Sequence, residues 1–260
     1  MLSVLTVEKL EKFKNQSAVQ RQYQIFLQMT ERQIFNKRQK SLYGQSDKSL
    51  RQLSFRFVVD KKAREQNANI AKQYRMLMIE LMKIVYGDAA FFKNLEKKRS
   101  NFLEEMLNAV EQAADTASDK MIKRVQDIAR LKLEDPELQE AFYHMLKGTV
   151  SREKLEEIKD TRSRVKEKAY VSLFTFINND GANKVPKIVV QRAPREILKA
   201  VFINDEVVEA IIAKRNELAA NKNNGSAEEF KSEFQDKRRP GLDDNLLDFS
   251  ISQGSKTDYN

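Results

Sequence analysis

The 260-residue chain contains no cysteine and no tryptophan, one histidine, four prolines and seven glycines. Each shortage excludes something. Without cysteine there are no disulfides, no thiolate metal ligands and no cysteine nucleophile. One imidazole, His144, rules out a multi-histidine metal centre and makes it the sole histidine available to a Ser-His-Asp arrangement. So few glycines and prolines leave too little turn chemistry for a many-stranded fold and favour long helices. Nothing approaches the roughly 18 consecutive apolar residues that span a bilayer. Met1–Val7 runs directly into Glu8 and Lys9, so it lacks the apolar stretch of a secretory leader and a cytoplasmic location is expected. The Asn15-Gln16-Ser17 and Asn224-Gly225-Ser226 sequons then read as chance matches.

What the chain does have is charge and helical periodicity. Apolar residues make up 41% and charged residues 33%, against a usual charged share of about a quarter. The formal net charge of +9 is unevenly placed. Residues 1–100 carry 21 Lys and Arg against 9 Asp and Glu, whereas residues 101–260 carry 26 against 29. Such asymmetry points to an anionic partner or to contact between the two halves.

The pattern predicts a mainly α fold, an elongated bundle of long amphipathic helices. A first helix starts near Thr6 and fades by Ser46, and a second runs from about Ser49 to Tyr86, with Gly87 suited to a left-handed cap. Within the second, Ile70, Tyr74, Leu77, Leu81 and Ile84 are spaced 4, 3, 4, 3, the heptad spacing of a narrow seam in a coiled-coil-like hairpin. A third helix opens at Asp88 and either continues through Ile128 or breaks near Asp115–Asp119. Asp135-Pro136 starts a shorter helix that stops at Gly148, and Ser151 caps another. Residues 171–190 leave two readings open. The helical stripe continues through Ile177, or a small β-hairpin turns at Asp180-Gly181. Helices from Pro194 and from Asn204 or Asp205 complete the series. Three segments follow: a basic helical part over 1–130, a smaller helical part over 131–224, and a flexible tail over 225–260.

Catalytic chemistry has little to work with. There is no glycine-rich phosphate loop, and the adjacent carboxylate pairs (Glu104-Glu105, Glu156-Glu157, Glu228-Glu229) point about 100° apart on a helix. His144 lies four residues after Glu140 and among Phe142, Tyr143, Met145 and Leu146, a packed or rim position. Glu111, Asp115 and Asp119 form one helical row that reads as solvated surface. Neither an enzyme activity, a cofactor nor a small-molecule substrate is expected.

Binding features are clearer. Arg32, Lys37, Arg38 and Lys40 end the first helix, and Arg56, Lys61, Lys62 and Arg64 lie early in the second. In an antiparallel hairpin both sets fall at one end, where they would meet an acidic protein, an anionic membrane or a nucleic acid. Smaller clusters lie at Lys97-Lys98-Arg99 and over Arg162–Lys168. The tail carries Leu246, Leu247, Asp248 and Phe249, an acidic-hydrophobic motif that either docks on a partner or folds back on the chain's own helices. The expectation is a helical scaffold or adaptor that binds other proteins, as a subunit of a larger assembly of secretion or effector type. It would be cytoplasmic or peripheral to a membrane-bound complex, with self-association compatible with the heptad seam.

Overall fold

The computed structural model describes residues 52–117, 122, 124–150, 169–178, 185–220 and 227–250. The fold is mainly helical, with four two-residue strands among the described residues. In chain order these elements are β1 (Leu53–Ser54), α1 (Arg56–Val59), α2 (Lys61–Gln66), α3 (Ala68–Tyr86), α4 (Ala90–Lys98), α5 (Phe102–Thr116), a 3-10 turn (Val125–Arg130) and α6 (Pro136–Lys147). A second 3-10 turn (Leu173–Thr175), β2 (Ile177–Asn178), β3 (Ile188–Val189), α7 (Arg195–Val201), α8 (Asp205–Ala220), α9 (Ala227–Phe234) and β4 (Leu247–Asp248) follow.

Local chemistry explains where the chain breaks. The continuous helix expected over 49–86 is instead β1 followed by three helices. Asp60 leaves helical geometry and its carboxylate accepts the Ala63 amide at 3.1 Å, ending α1 and capping α2. Burial raises the Asp60 carboxyl pKa, but the Ala63 amide and Arg56 outweigh it and hold the group below its usual range. The helix expected from Asp88 breaks at Arg99, whose extended backbone (φ −143°, ψ 99°) accompanies ion pairs with Asp135 at 2.5 Å and Glu137 at 3.5 Å. α6 follows its sequence signals. Asp135 accepts from the Glu137 and Leu138 amides, Pro136 occupies the first turn, and Gly148 stops the helix at φ 65°. Gly87 differs from expectation, because its φ of −54° is right-handed. A Cβ there would lie 2.5 Å from the Lys83 carbonyl oxygen, so the glycine permits close approach rather than chain reversal.

Residues 171–178 and 185–190 form neither the long helix nor the hairpin. β2 pairs in parallel with β1 (Leu53 with Ile177, Ser54 with Asn178), and β3 pairs in parallel with β4 (Ile188 with Leu247, Val189 with Asp248). The β-branched residues thus satisfy their backbone groups against distant segments. The Asp180-Gly181 turn lies outside the described residues.

At the centre is α3. Its buried residues (Ala71, Gln73, Tyr74, Leu77, Met78, Ile79, Leu81, Met82 and Tyr86) cover far more of its circumference than a heptad seam. Ile84, assigned to that seam, is 37% exposed. α3 packs against α1, α2, α5 and α7. Phe57 stacks on Tyr74 with ring centroids 5.0 Å apart, and the Tyr86 hydroxyl sits between the Met145 and Val171 carbonyls at 3.1 and 3.2 Å. Burial pushes both tyrosine pKa values upward.

One cluster of buried side chains runs from Leu53 to Phe249, crossing the boundaries suggested near residues 130 and 224. The described part of the expected flexible tail, 227–250, is a strap. Phe230, Phe234, Leu242, Leu246, Leu247 and Phe249 are all buried, with Phe230 edge-on to Phe234 at 5.2 Å and to Phe249 at 6.0 Å. Spacing alone hid this, because the anchors come from a helix, a loop and a strand with no common period.

A candidate docking groove on the central helix

Three faces of α3 have different fates. Successive residues advance by about 100°, so Arg75 lies on one flank, Gln73 and Glu80 on the other, and Asn69, Lys72, Met76 and Lys83 between them.

α5 covers the first flank. Arg75 donates to Glu104 Oε2 at 2.8 Å, to the Glu104 carbonyl at 2.9 Å, to Asn108 Oδ1 at 2.6 Å and to Glu111 Oε2 at 2.9 Å. Glu111 also pairs with Arg64 at 2.6 Å, and Arg64 reaches both Asp115 oxygens at 2.7 Å and the Val58 carbonyl at 2.6 Å. The network ties α1, α2, α3 and α5 together, and its planar guanidinium forks suit bidentate contacts.

The strap covers the other flank. Gln73 Oε1 accepts the Asp243 amide at 2.6 Å. Arg239 donates to Glu80 at 3.0 Å and to the Ala200 carbonyl at 2.9 Å, while its own amide donates to the Val201 carbonyl at 2.8 Å. Between these walls lies an open groove of about 490 Å³, lined by the α3 face, Glu104 and the Gly241 turn. Met76 is half-buried and Ile79, 8% exposed, lies at its base. Lys72 and Lys83 are exposed along the groove. Lys83 shares Glu80 with Arg239 at 2.9 Å, whereas Lys72 makes no ion pair among the described residues.

The residues singled out from sequence fall elsewhere. Arg32, Lys37, Arg38 and Lys40 lie outside the described residues, as does the Arg162–Lys168 cluster. Arg56 pairs with Asp60 at 2.9 Å, and Arg64 is taken up by Glu111 and Asp115. Lys61 and Lys62 are exposed at the start of α2. Lys98 and Arg99 pair with Glu137 and Asp135. Of the two destinations open to the tail motif, folding back is the one observed. Leu246, Leu247 and Phe249 are buried, and Asp248 lies in β4 with its carboxylate accepting the Ser250 amide at 2.8 Å. The Glu111–Asp115 row holds arginines in place of the expected open solvent.

His144 is a rim residue. Its ring stacks on Phe91 with centroids 5.1 Å apart, and Nε2 lies 3.7 Å from Glu140. Burial lowers its pKa, outweighing the opposing pull of Glu140, and Lys147 lowers it further. Among the described residues no group of three or more His, Asp and Glu is placed to hold a metal, and no helix is long and apolar enough to cross a membrane.

Sequence reasoning missed the groove. Its signal was present, because Lys72, Met76, Ile79 and Lys83 repeat the 4, 3, 4 spacing two positions after the apolar seam. Comparison with protein-family models, curated proteins and solved structures finds no match to this chain.

Proposed function

We propose that the protein is a helical adaptor that docks a helical segment of another protein in the groove along α3. The observation that carries this reading is the Lys72–Met76–Lys83 face, about 16 Å long, with both lysines exposed and Met76 half-buried, which the described residues leave open between two walls fixed by Arg75 and Arg239. Most of α3 is consumed by the core, yet this face presents a methionine, a side chain that adapts to varied apolar partners. Both walls are tied by several hydrogen bonds, so the docking site is preorganised and an entering helix meets a groove already formed. As an adaptor, the chain holds that segment against the hydrogen-bonded body formed by α3, α5 and the strap.

A photo-crosslinking residue at position 76, introduced into the full chain in its native cell, tests the reading. A defined protein should be captured from position 76, not captured from position 97 on the remote end of α4, and lost when Lys72 and Lys83 are both changed to Glu. Equal capture from positions 76 and 97, or capture indifferent to the lysine changes, would refute it.

A further inference from the structure

Resting on that docking reading, the geometry points to the class of helix the groove accepts: we infer an acidic amphipathic helix carrying carboxylates at positions i and i+11, with apolar residues at i+4 and i+7. The α3 face reads Lys72, Met76, Ile79, Lys83, a 4, 3, 4 sequence that is the same in either direction. Eleven residues are just over three helical turns and about 16 Å of rise, so the two lysines lie close to one line of the helix, one to each side of the apolar pair. A partner helix with the same 4, 3, 4 spacing keeps all four of its contacting positions on one face, as in a heptad seam, whether it runs parallel or antiparallel.

Charge selects the sign. The groove lining holds Lys72, Arg75 and Lys83 against Glu80 and Glu104. Both carboxylates are already engaged, Glu104 by Arg75 and Glu80 by Arg239, the latter standing in the wall behind the lining. Lys72 has no carboxylate among the described residues, and Lys83 must share Glu80 with Arg239. An incoming carboxylate at each end would complete these lysines, whereas an incoming cation would meet uncompensated positive charge. The methylene stems of the lysines extend the apolar floor that Met76 begins.

The test uses the full chain and three labelled synthetic peptides in fluorescence anisotropy. The first is a helix with Glu at i and i+11 and Leu at i+4 and i+7. The second has Lys in place of both Glu residues. The third has the composition of the first, with a central proline to prevent helix formation. The expected result is saturable binding of the first peptide, about tenfold or more weaker binding of the other two, and loss of affinity with rising salt. The Lys72→Glu/Lys83→Glu variant, altered only at exposed positions and checked by circular dichroism, should lose the first peptide and gain the second. Equal binding of all three peptides, or an unchanged preference in the double variant, would overturn the inference. So would tight binding of anionic lipid vesicles lost in the same variant, which would assign the lysines to a membrane surface. If none of the peptides binds while crosslinking from position 76 still captures a lysine-dependent protein, the acidic-helix inference falls and the adaptor reading survives. If both fail, both fall.

Discussion

Alanine at Gly148 should be among the most damaging single-methyl additions in the chain. Gly148 ends α6 at φ 65° and ψ 175°, a backbone region essentially restricted to glycine, where another residue carries about 1–3 kcal/mol of strain. Space is a second, separate problem. A Cβ would stand 2.5 Å from the Ser172 amide nitrogen, 2.9 Å from the Val171 carbonyl carbon and 3.0 Å from the Ser172 Cα. All three are backbone atoms, so no side-chain rotation relieves the contact. The 170–172 segment would have to move, and it is held by the Ser172 hydroxyl donating to the Leu146 carbonyl at 2.5 Å and by the Tyr86 hydroxyl at Val171. Weakening one such buried hydrogen bond adds about 1–2 kcal/mol, for a total of about 2–5 kcal/mol. Gly241→Ala is the matched control, because its φ of 83° is also left-handed but a Cβ there meets nothing within 4 Å. It should lose about 1–2 kcal/mol from strain alone. Urea unfolding at neutral pH, with the slope m unchanged and the midpoint shifted, measures both. A Gly148→Ala variant no less stable than Gly241→Ala would refute the reasoning, since both have positive φ and only Gly148 has the clash.

Three further outcomes follow from the same structure. His144 is the only histidine, so the stability change between about pH 7 and 5 is its signature. Its folded pKa lies below the ordinary value of 6.5, so the unfolded chain binds the extra proton. Stability is therefore fully present above that value and lost as pH falls through the window, a slope that His144→Gln should flatten in urea midpoints taken across it. Phe234→Ala, which empties a buried strap position against Phe230, should cost about 3–5 kcal/mol in the same assay, where a freely moving tail would give almost no change. Arg75→Ala, which leaves Glu104, Asn108 and Glu111 without their shared donor, should cost about 1–2 kcal/mol, and Arg75→Lys should recover only part of it, because a single ammonium cannot span the fork.

Helical character and some helix ends were legible in the sequence. Asp135-Pro136 and Gly148 bracket α6 because a cap, a first-turn proline and a positive-φ glycine act through the few residues beside them. Interruptions at Asp60 and Arg99 were not legible. They depend on whether a polar side chain bonds its neighbours or stays in solvent, and for Arg99 the partner is 36 residues away. Residues 171–190 carried the right composition for strands, but their partners are Leu53–Ser54 and Leu247–Asp248, and no local pattern names a distant strand. The cationic reading gave too much weight to Arg64. Whether a cation on a helix is free or neutralised depends on what the neighbouring helix presents, here Glu111 and Asp115. The groove was hidden for the converse reason. Lys72 and Lys83 look like ordinary solvated positions until α5 and the strap rise on both sides of them.

Amide hydrogen exchange on the full chain, with and without the partner captured from position 76, tests the docking of a helix on α3 most directly. The account predicts added protection in 69–83 and in the 239–243 turn, with α4 unchanged. Protection confined to Lys61 and Lys62 and their surroundings, with 69–83 exchanging as in the free protein, would contradict it.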